Sequence, residues 1–565
     1  MAGMGNRYDV AVIGSGFGGS VAALRLAEKG YSVVVLEAGR RFADHELPET
    51  SWRLRRYLWA PALGCYGIQR VTLLRSVGRR AGIAPATVLA LHGAGVGGGS
   101  LVYANTLYEP LPAFYADPQW RDITDWRAEL APYYAEARRM LGVTTYPGET
   151  AADRAMRAVA ERMGAGATFH PTPVGVYFGR PGERVADPYF GGAGPERTGC
   201  LHCGACMTGC RYGAKNSLVK NYLWFAERLG VEVRPLTTAV AVRPAPDGAG
   251  YRVETVRTGA WPPRHRQVVH AGQVVLAAGT IGTLRLLHRM RAVGALPHLS
   301  SRLGALTRTN SEAIVGAAVP FRAARRRGVD LTEGVAITSS FHPDPETHLE
   351  PVRYGPGANA MALLLTALVD GGPGRRRRWL AALARRPFAY LPPGSVRDWS
   401  RRTVIVLAMQ ARDNAVTVHH RRGWFGRERL VVSEGPGAPS PSWLPAANEA
   451  ARLLAEEIGG RPGAPLTQPL DMSITAHLLG GAVIGATPEE GVVDPYHRVF
   501  GHPGLHVVDG AAVSANLGAN PALTIAAQAE RALSFWPNRD EPDPRPPLGA
   551  PYVRLPSRVP SGPGR

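Results

Sequence analysis

Residues 10–19 read Val10-Ala11-Val12-Ile13-Gly14-Ser15-Gly16-Phe17-Gly18-Gly19, and this stretch decides the fold. Four apolar residues make a short buried strand, and the glycines after them make a tight turn. Ser20 to Lys29 has helical spacing with few breakers, Gly30 ends the helix, and Ser32 to Leu36 is a second buried strand. A strand–helix–strand unit of this length is a parallel, right-handed crossover of the nucleotide-binding kind. A lone Gly-x-Gly-x-x-Gly carries little weight. Here it follows a strand, opens a helix, and is answered by Glu37 at the end of the next strand. Gly14 permits the turn, Gly16 lets the backbone approach a pyrophosphate, and Gly19 lets helix and strand pack closely. Glu37 can accept hydrogen bonds from ribose hydroxyls, and its carboxylate would repel a 2′-phosphate, which disfavours NADP. This motif alone does not separate FAD from NAD.

Two further turns favour the larger cofactor. Gly93 to Gly99 is a second glycine-rich run, leading into Ser100-Leu101-Val102-Tyr103, and Asp509-Gly510 follows an apolar strand near the C-terminus. The same C-terminal region holds His477-Leu478-Leu479-Gly480-Gly481 and Asn520-Pro521. A histidine can manage the proton of an alcohol, because its ordinary pKa lies near working pH. An amide such as Asn520 can position a hydroxyl or polarise a carbonyl.

The rest of the chain is read coarsely. Residues 41–90 look irregular, about 110–140 helical and aromatic, and 231–242 a strand. Gln273 to Gly279 is a strand with a glycine exit, and residues from about 300 to 465 form a second, sheet-based domain. From Asn538 onward the chain is rich in proline and arginine and reads as extended or disordered. At 565 residues with 45% hydrophobic and 8% aromatic content, the chain can bury a large core in two or more domains. Its formal net charge is +20, nearly all from arginine. No basic helix interleaved with aromatics suggests nucleic acid, so the charge reads as a solvated surface. No signal peptide or membrane span is evident, and the five cysteines do not form a disulfide framework, so the expectation is a cytoplasmic protein.

The ordered set from Gly14-x-Gly16-x-x-Gly19 with Glu37, through Gly97-Gly98-Gly99-Ser100-Leu101-Val102, to His477 and Asn520-Pro521 resembles the glucose–methanol–choline (GMC) oxidoreductases. Within that family it is most similar to the bacterial cholesterol oxidases of the non-secreted branch. The resemblance implies an α/β fold: a Rossmann-like FAD-binding domain joined to an α+β substrate domain on an antiparallel sheet. The FAD domain would be discontinuous, formed by 1–110, 200–300 and 466–537. Residues 111–199 and 301–465 would form the substrate domain and cap, and 538–565 the tail. His477 would lie beside the flavin with Asn520 as its partner. Ala239 would meet the adenine end, and Asp509-Gly510 the pyrophosphate end, with Gly98, Ser100 and Pro521 also at the cofactor. Val102 stands where covalently flavinylated relatives carry histidine, so noncovalent FAD is expected. Tyr103 departs from the asparagine of secreted relatives. Glu350, by alignment of Thr347-His348-Leu349-Glu350-Pro351, is nominated as the carboxylate that shifts a double bond. The implied reaction is oxidation of a secondary alcohol on a bulky lipophilic molecule, a 3β-hydroxysteroid first. A different bulky alcohol, or a non-catalytic flavin electron carrier, are the competing readings.

Two features stand outside this scheme. Cys200-x2-Cys203-x2-Cys206-x3-Cys210 has ferredoxin-like spacing, though Arg211 replaces the usual proline and only Cys65 remains as another thiol. An iron–sulfur cluster, a zinc site, and four unligated thiols are the three readings. A cluster would make an electron carrier the acceptor; without one, O2 takes the electrons. The run Arg375 to Phe388 alternates arginine with apolar residues, which suits either an anionic membrane surface or an exposed basic loop.

Overall fold

The computed structural model describes residues 6–77, 87–260, 265–390, 394–423 and 428–560, excepting the side chain of residue 388. Strand Arg7–Ile13 lies between Val33–Leu36 and Gln267–Leu276, parallel to both, and Glu232–Arg234 adds a further parallel strand beyond Val33–Leu36. Residues Val10 to Ile13 and Val33 to Leu36 are buried throughout, as expected of strands covered on both faces. The long strand Gln267–Leu276 carries two neighbours on one side. Its first half pairs antiparallel with Tyr251–Arg257, and its last three residues pair parallel with Leu505–Val507. Helix Phe17–Glu28 crosses between the first two strands and packs against helices Tyr222–Arg228 and Ala522–Ser534. The parallel strands end at Ile13, Leu36, Leu276 and Val507, so Gly14, Glu37, Ala277 and Asp509 gather at one edge. Open α/β sheets bind ligands in that place.

A second sheet is antiparallel throughout, in the order Leu365–Ala367, Arg461–Pro465, Ala313–Ala318, Thr403–Gln410, Thr347–Val352, Ser339–Asp344 and His170–Pro171. Strand alternation divides it cleanly. Val404, Val406, Ala408 and Leu349 face a core made with helices Ala151–Arg162 and Pro445–Ile458. Ile405, Leu407, Met409 and Val352 cluster on the opposite face. His348 and Glu350 share the register of Val352 and so point the same way. A third sheet includes the antiparallel pair Gln69–Ser76 with Val88–Gly93.

Several local expectations change. The stretch 41–90 contains that antiparallel pair, whose alternating Val71, Leu73 and Leu89 give strand character that the surrounding arginines obscure. Pro110, Pro112 and Pro118 keep the chain out of a helix until Trp126–Met140, which Asp125 caps by accepting from Ala128 N at 3.1 Å. The strand expected over 231–242 is two, Glu232–Arg234 and Thr237–Pro244, separated at Pro235 and at Leu236 with φ of 51°. The tail through residue 560 has no helix or strand, yet it is docked. Arg531 Nη2 donates to Tyr552 Oη at 3.0 Å, and Arg558 N donates to Ser534 O at 2.8 Å.

Candidate active site

At the strand ends the glycines are required by contact. A Cβ at Gly14, where φ is 103°, would lie 2.2 Å from Ala277 O, and one at Gly18 would lie 1.9 Å from Val508 O. The two glycine turns touch each other, since a Cβ at Gly98 would lie 2.6 Å from Gly16 Cα. Ser15 ties them together: its Oγ donates to Glu37 Oε2 at 2.7 Å and accepts from Gly97 N at 3.1 Å. Glu37 also accepts from Ser15 N and Gly39 N, and burial pushes its carboxyl upward. These bonds fix the carboxylate at the cavity wall.

The cavity bounded by these turns has a volume of about 580 Å³ and continues into the face of the antiparallel sheet. Gly14, Gly16, Glu37, Gly98, Ala239, Asp509, Gly510, His477, Asn520 and Pro521 all line it. Gly19 does not; its absent side chain serves helix–strand packing, for a Cβ there would lie 2.1 Å from Gly14 O. Ser100 turns away as well. It is fully buried, donates to Gly97 O at 2.7 Å and accepts from Leu218 N at 3.0 Å, so it shapes the turn rather than facing the cavity. Asp509 caps the turn Gly510–Ala512 and accepts from Thr283 Oγ1; burial raises its carboxyl to about 6. Val102 and Tyr103 line the wall, with the Tyr103 hydroxyl donating to Asn216 O at 3.0 Å.

Beyond His477 and Asn520 the cavity wall carries mainly apolar side chains, Ile314, Ile337, Val352, Ile405, Leu407 and Met361 among them. Asn520 is buried, its Nδ2 donating to Glu350 Oε2 at 3.3 Å while its Oδ1 has no partner. Glu350 sits behind Asn520, outside the cavity wall and wholly buried. Burial drives its carboxyl up to about 8; the Asn520 hydrogen bond opposes this and the charge of Glu312 adds to it. His348 Nε2 lies 3.8 Å from Glu350 Oε1.

Glu312 and Asn310 were not singled out in the sequence. Glu312 lines the cavity just before strand Ala313–Ala318. Its Oε2 accepts from Thr475 Oγ1 and from Ala476 N, each at 2.9 Å, and lies 3.1 Å from His477 Nδ1. Asn310 anchors the loop that delivers Asn520: its Oδ1 accepts from Leu517 N and Gly518 N at 3.0 Å each, and its Nδ2 donates to Ala519 O at 2.9 Å. The only sequence signal for either was an unusually polar run, Thr307 to Glu312, between apolar segments.

The four cysteines line one small cavity of about 20 Å³ together with Asn105 and Lys215, room for about one water. Among the described residues no group of three or more His, Cys, Asp or Glu side chains could hold a metal ion. Burial holds the Cys200 thiol up at about 12 and that of Cys206 at about 11. The ferredoxin-like spacing of Cys200, Cys203, Cys206 and Cys210 is therefore not matched by a ligand cage. Cys200 instead belongs to an apolar cluster with Tyr146, Val174 and Val176.

A strand-end cradle of glycines and a buried acid, opening into an apolar chamber with a histidine and an amide at the junction, defines a dinucleotide-dependent oxidoreductase. Comparison with known proteins makes this specific. The sequence models described as GMC oxidoreductase match residues 195–308 and 447–529, and one described as an NAD(P)-binding Rossmann-like domain matches 12–46. The chain is 56% identical over 567 residues to a cholesterol oxidase of Mycobacterium tuberculosis, covering 98% of this chain and 96% of that one. It is 41% identical to a cholesterol oxidase of Acinetobacter baumannii, covering 94% of each. A solved structure, pyridoxine 4-oxidase from Mesorbium loti, shares the fold with a TM-score of 0.58 at 16% identity, over 93% of this chain and 98% of that one. The chain belongs to the GMC oxidoreductase family and is an FAD-dependent alcohol oxidoreductase. The fit to FAD rests on the cradle itself: bare backbone at Gly14, Gly16 and Gly98, with Glu37 fixed at the wall.

Proposed function

We propose that this protein oxidises the 3β-hydroxyl of a sterol to the ketone, with noncovalent FAD and O2 as electron acceptor. The observation that carries this is the continuity of one cavity from the glycine cradle into an apolar chamber, with His477 and Asn520 at the junction. An apolar chamber rewards a rigid hydrocarbon body, since each buried methylene contributes about 0.8 kcal/mol. The likeness to two cholesterol oxidases over nearly the whole chain supports the same substrate class.

FAD, held at Gly14, Gly16, Gly98 and Glu37, would supply the acceptor for the hydride of the carbinol carbon. His477 takes the hydroxyl proton. Its Nδ1 is turned to Glu312, which leaves Nε2 as the accepting atom. The Asn520 amide is held by Glu350 through Nδ2, and its Oδ1 is left unpartnered at the junction. Glu350 lies behind Asn520 rather than on the cavity wall, and once the product reaches past that amide Glu350 shifts the double bond into conjugation. It takes a proton from the carbon between the carbonyl and the alkene and returns one to the far alkene carbon, so no oxidant is consumed. The apolar wall excludes water during both steps.

The substrate also requires access from a lipid phase. Met361 and Leu364 line the chamber, and exposed Leu363, Leu364, Leu466 and Leu470 surround that side. Helix Arg375–Arg385 contacts strand Leu365–Ala367 and turn Gln468–Leu470 and leaves Arg376, Arg377 and Leu380 exposed. Arg375 is buried against Asp471 at 2.6 Å. This arrangement supports peripheral contact with an anionic membrane at the chamber mouth. Among the described residues no helix is long and apolar enough to cross a membrane.

The direct test is product analysis. Aerobic turnover of cholesterol should yield the ketone and hydrogen peroxide in equal amounts. Ketone without peroxide would remove O2 as the acceptor, and no ketone from any 3β-hydroxysteroid would remove the substrate assignment.

A further inference from the structure

We propose that Glu312 is a positioning residue for His477, forming a buried carboxylate–histidine pair that selects the imidazole tautomer and holds the cation formed when the substrate proton arrives. The proposal rests on the reading of His477 as the proton acceptor and deepens it.

The geometry is specific. Glu312 is fully buried, and the His477 side chain keeps only 13% exposure, toward the cavity that both line. Glu312 Oε2 sits 3.1 Å from His477 Nδ1, off the hydrogen-bonding line in this ring orientation; Nδ1 has no other partner. The carboxylate is not free to swing away. Thr475 Oγ1 and Ala476 N both donate to the same oxygen, and Thr475 Oγ1 in turn accepts from His477 N at 2.8 Å. Three consecutive residues, Thr475 to His477, are thus wrapped around one carboxylate oxygen. The other oxygen, Oε1, is buried without a partner.

A buried carboxylate with an unpartnered oxygen is costly to the fold unless a cation or a proton compensates it. Among the described residues no arginine or lysine forms an ion pair with Glu312; the ion pair recorded there is with His477. The compensation arises during turnover. As the substrate O–H bond breaks, an N–H bond forms at His477 Nε2, while the hydride passes from the carbinol carbon to FAD. The alcohol loses two electrons and becomes the ketone, and FAD gains them. The imidazolium left behind is then paired with Glu312 in a water-poor site, where such pairing has most effect. Before the proton arrives, the carboxylate keeps hydrogen on Nδ1 and leaves Nε2 bare for the substrate. Buried acid, oriented imidazole and reacting hydroxyl are the parts of the serine protease triad, with the substrate alcohol in place of the nucleophile. The other carboxyl in electrostatic reach, Glu350, is bonded to Asn520 and not to His477.

The test compares Glu312→Gln, His477→Ala and the double variant, each with FAD content and thermal midpoint checked. Glutamine keeps an acceptor for Thr475 and Ala476 and removes the charge. Single-turnover flavin reduction by cholesterol should slow ~10²–10⁴-fold in Glu312→Gln, up to the full worth of the base it positions, with the cholesterol dissociation constant changed less than about threefold. The double variant should be no slower than His477→Ala, since residues acting as a unit are non-additive. A merely structural Glu312 would instead weaken binding and add its effect to that of His477→Ala. Near-normal reduction in Glu312→Gln beside a slow His477→Ala overturns this pairing alone. Near-normal reduction in His477→Ala overturns the underlying reading as well.

Discussion

Glu350→Gln separates a structural carboxyl from a working one. In the native protein the Glu350 carboxyl rises from an ordinary 4.5 to about 8, chiefly through burial. The folded state therefore holds this proton more tightly than the unfolded chain across that window, and stability falls as pH rises through it. A shift of this size costs the fold at most about 5 kcal/mol once the group is ionised, with full cost above the folded value. Glutamine cannot ionise, yet it preserves the bond from Asn520 Nδ2. Glu350→Gln should thus match the wild type near pH ~4 and exceed it progressively toward pH ~9, in thermal midpoints of the FAD-bound protein. Activity carries a second signature. Proton abstraction needs the carboxylate, so the share of product with a shifted double bond should rise with pH in the wild type, through a midpoint near 8. Glu350→Gln should release unshifted ketone at every pH. A pH-independent stability difference would refute the buried-acid argument. Shifted ketone from Glu350→Gln would refute the assignment of the isomerisation to this residue.

Three further outcomes are expected. His477→Ala should retain FAD and slow flavin reduction ~10²–10⁴-fold, the usual worth of general base assistance, in stopped-flow absorbance. Acid denaturation should release the flavin quantitatively into the supernatant, because Val102 stands at the position of covalent attachment; flavin retained on the precipitated chain would contradict this. Replacing exposed Arg376 and Arg377 by serine should weaken co-sedimentation with anionic vesicles, and added salt should weaken the wild type likewise. Turnover of detergent-dispersed sterol should be unchanged.

What the sequence disclosed, and what it withheld, follows from the range of the interactions involved. Gly14, Gly16 and Glu37 were readable because a strand–turn–helix is a local object and its contacts lie within a few dozen residues. His477, Asn520 and Glu350 were reached through family register, for nothing local distinguishes Glu350 from a surface carboxylate. Glu312 and Asn310 were missed because their partners, Thr475 to His477 and Leu517 to Ala519, lie more than 160 residues away. Ser100 shows the converse error. It belongs to the cofactor turn by sequence, yet its hydroxyl serves Gly97 and Leu218. The cysteine spacing likewise suggested ligands, and among the described residues no group able to hold a metal is found.

The central claim is that one cavity brings a sterol hydroxyl to FAD beside His477. Anaerobic mixing of the oxidised protein with cholesterol, with a 3α-epimer, and with unrelated bulky alcohols tests it most directly. Rapid and complete bleaching of the flavin by the 3β-hydroxysterol, with little by the epimer or the unrelated alcohols, is the expected result. A flavin-replete protein that no 3β-hydroxysterol bleaches, while another alcohol does, would contradict the account.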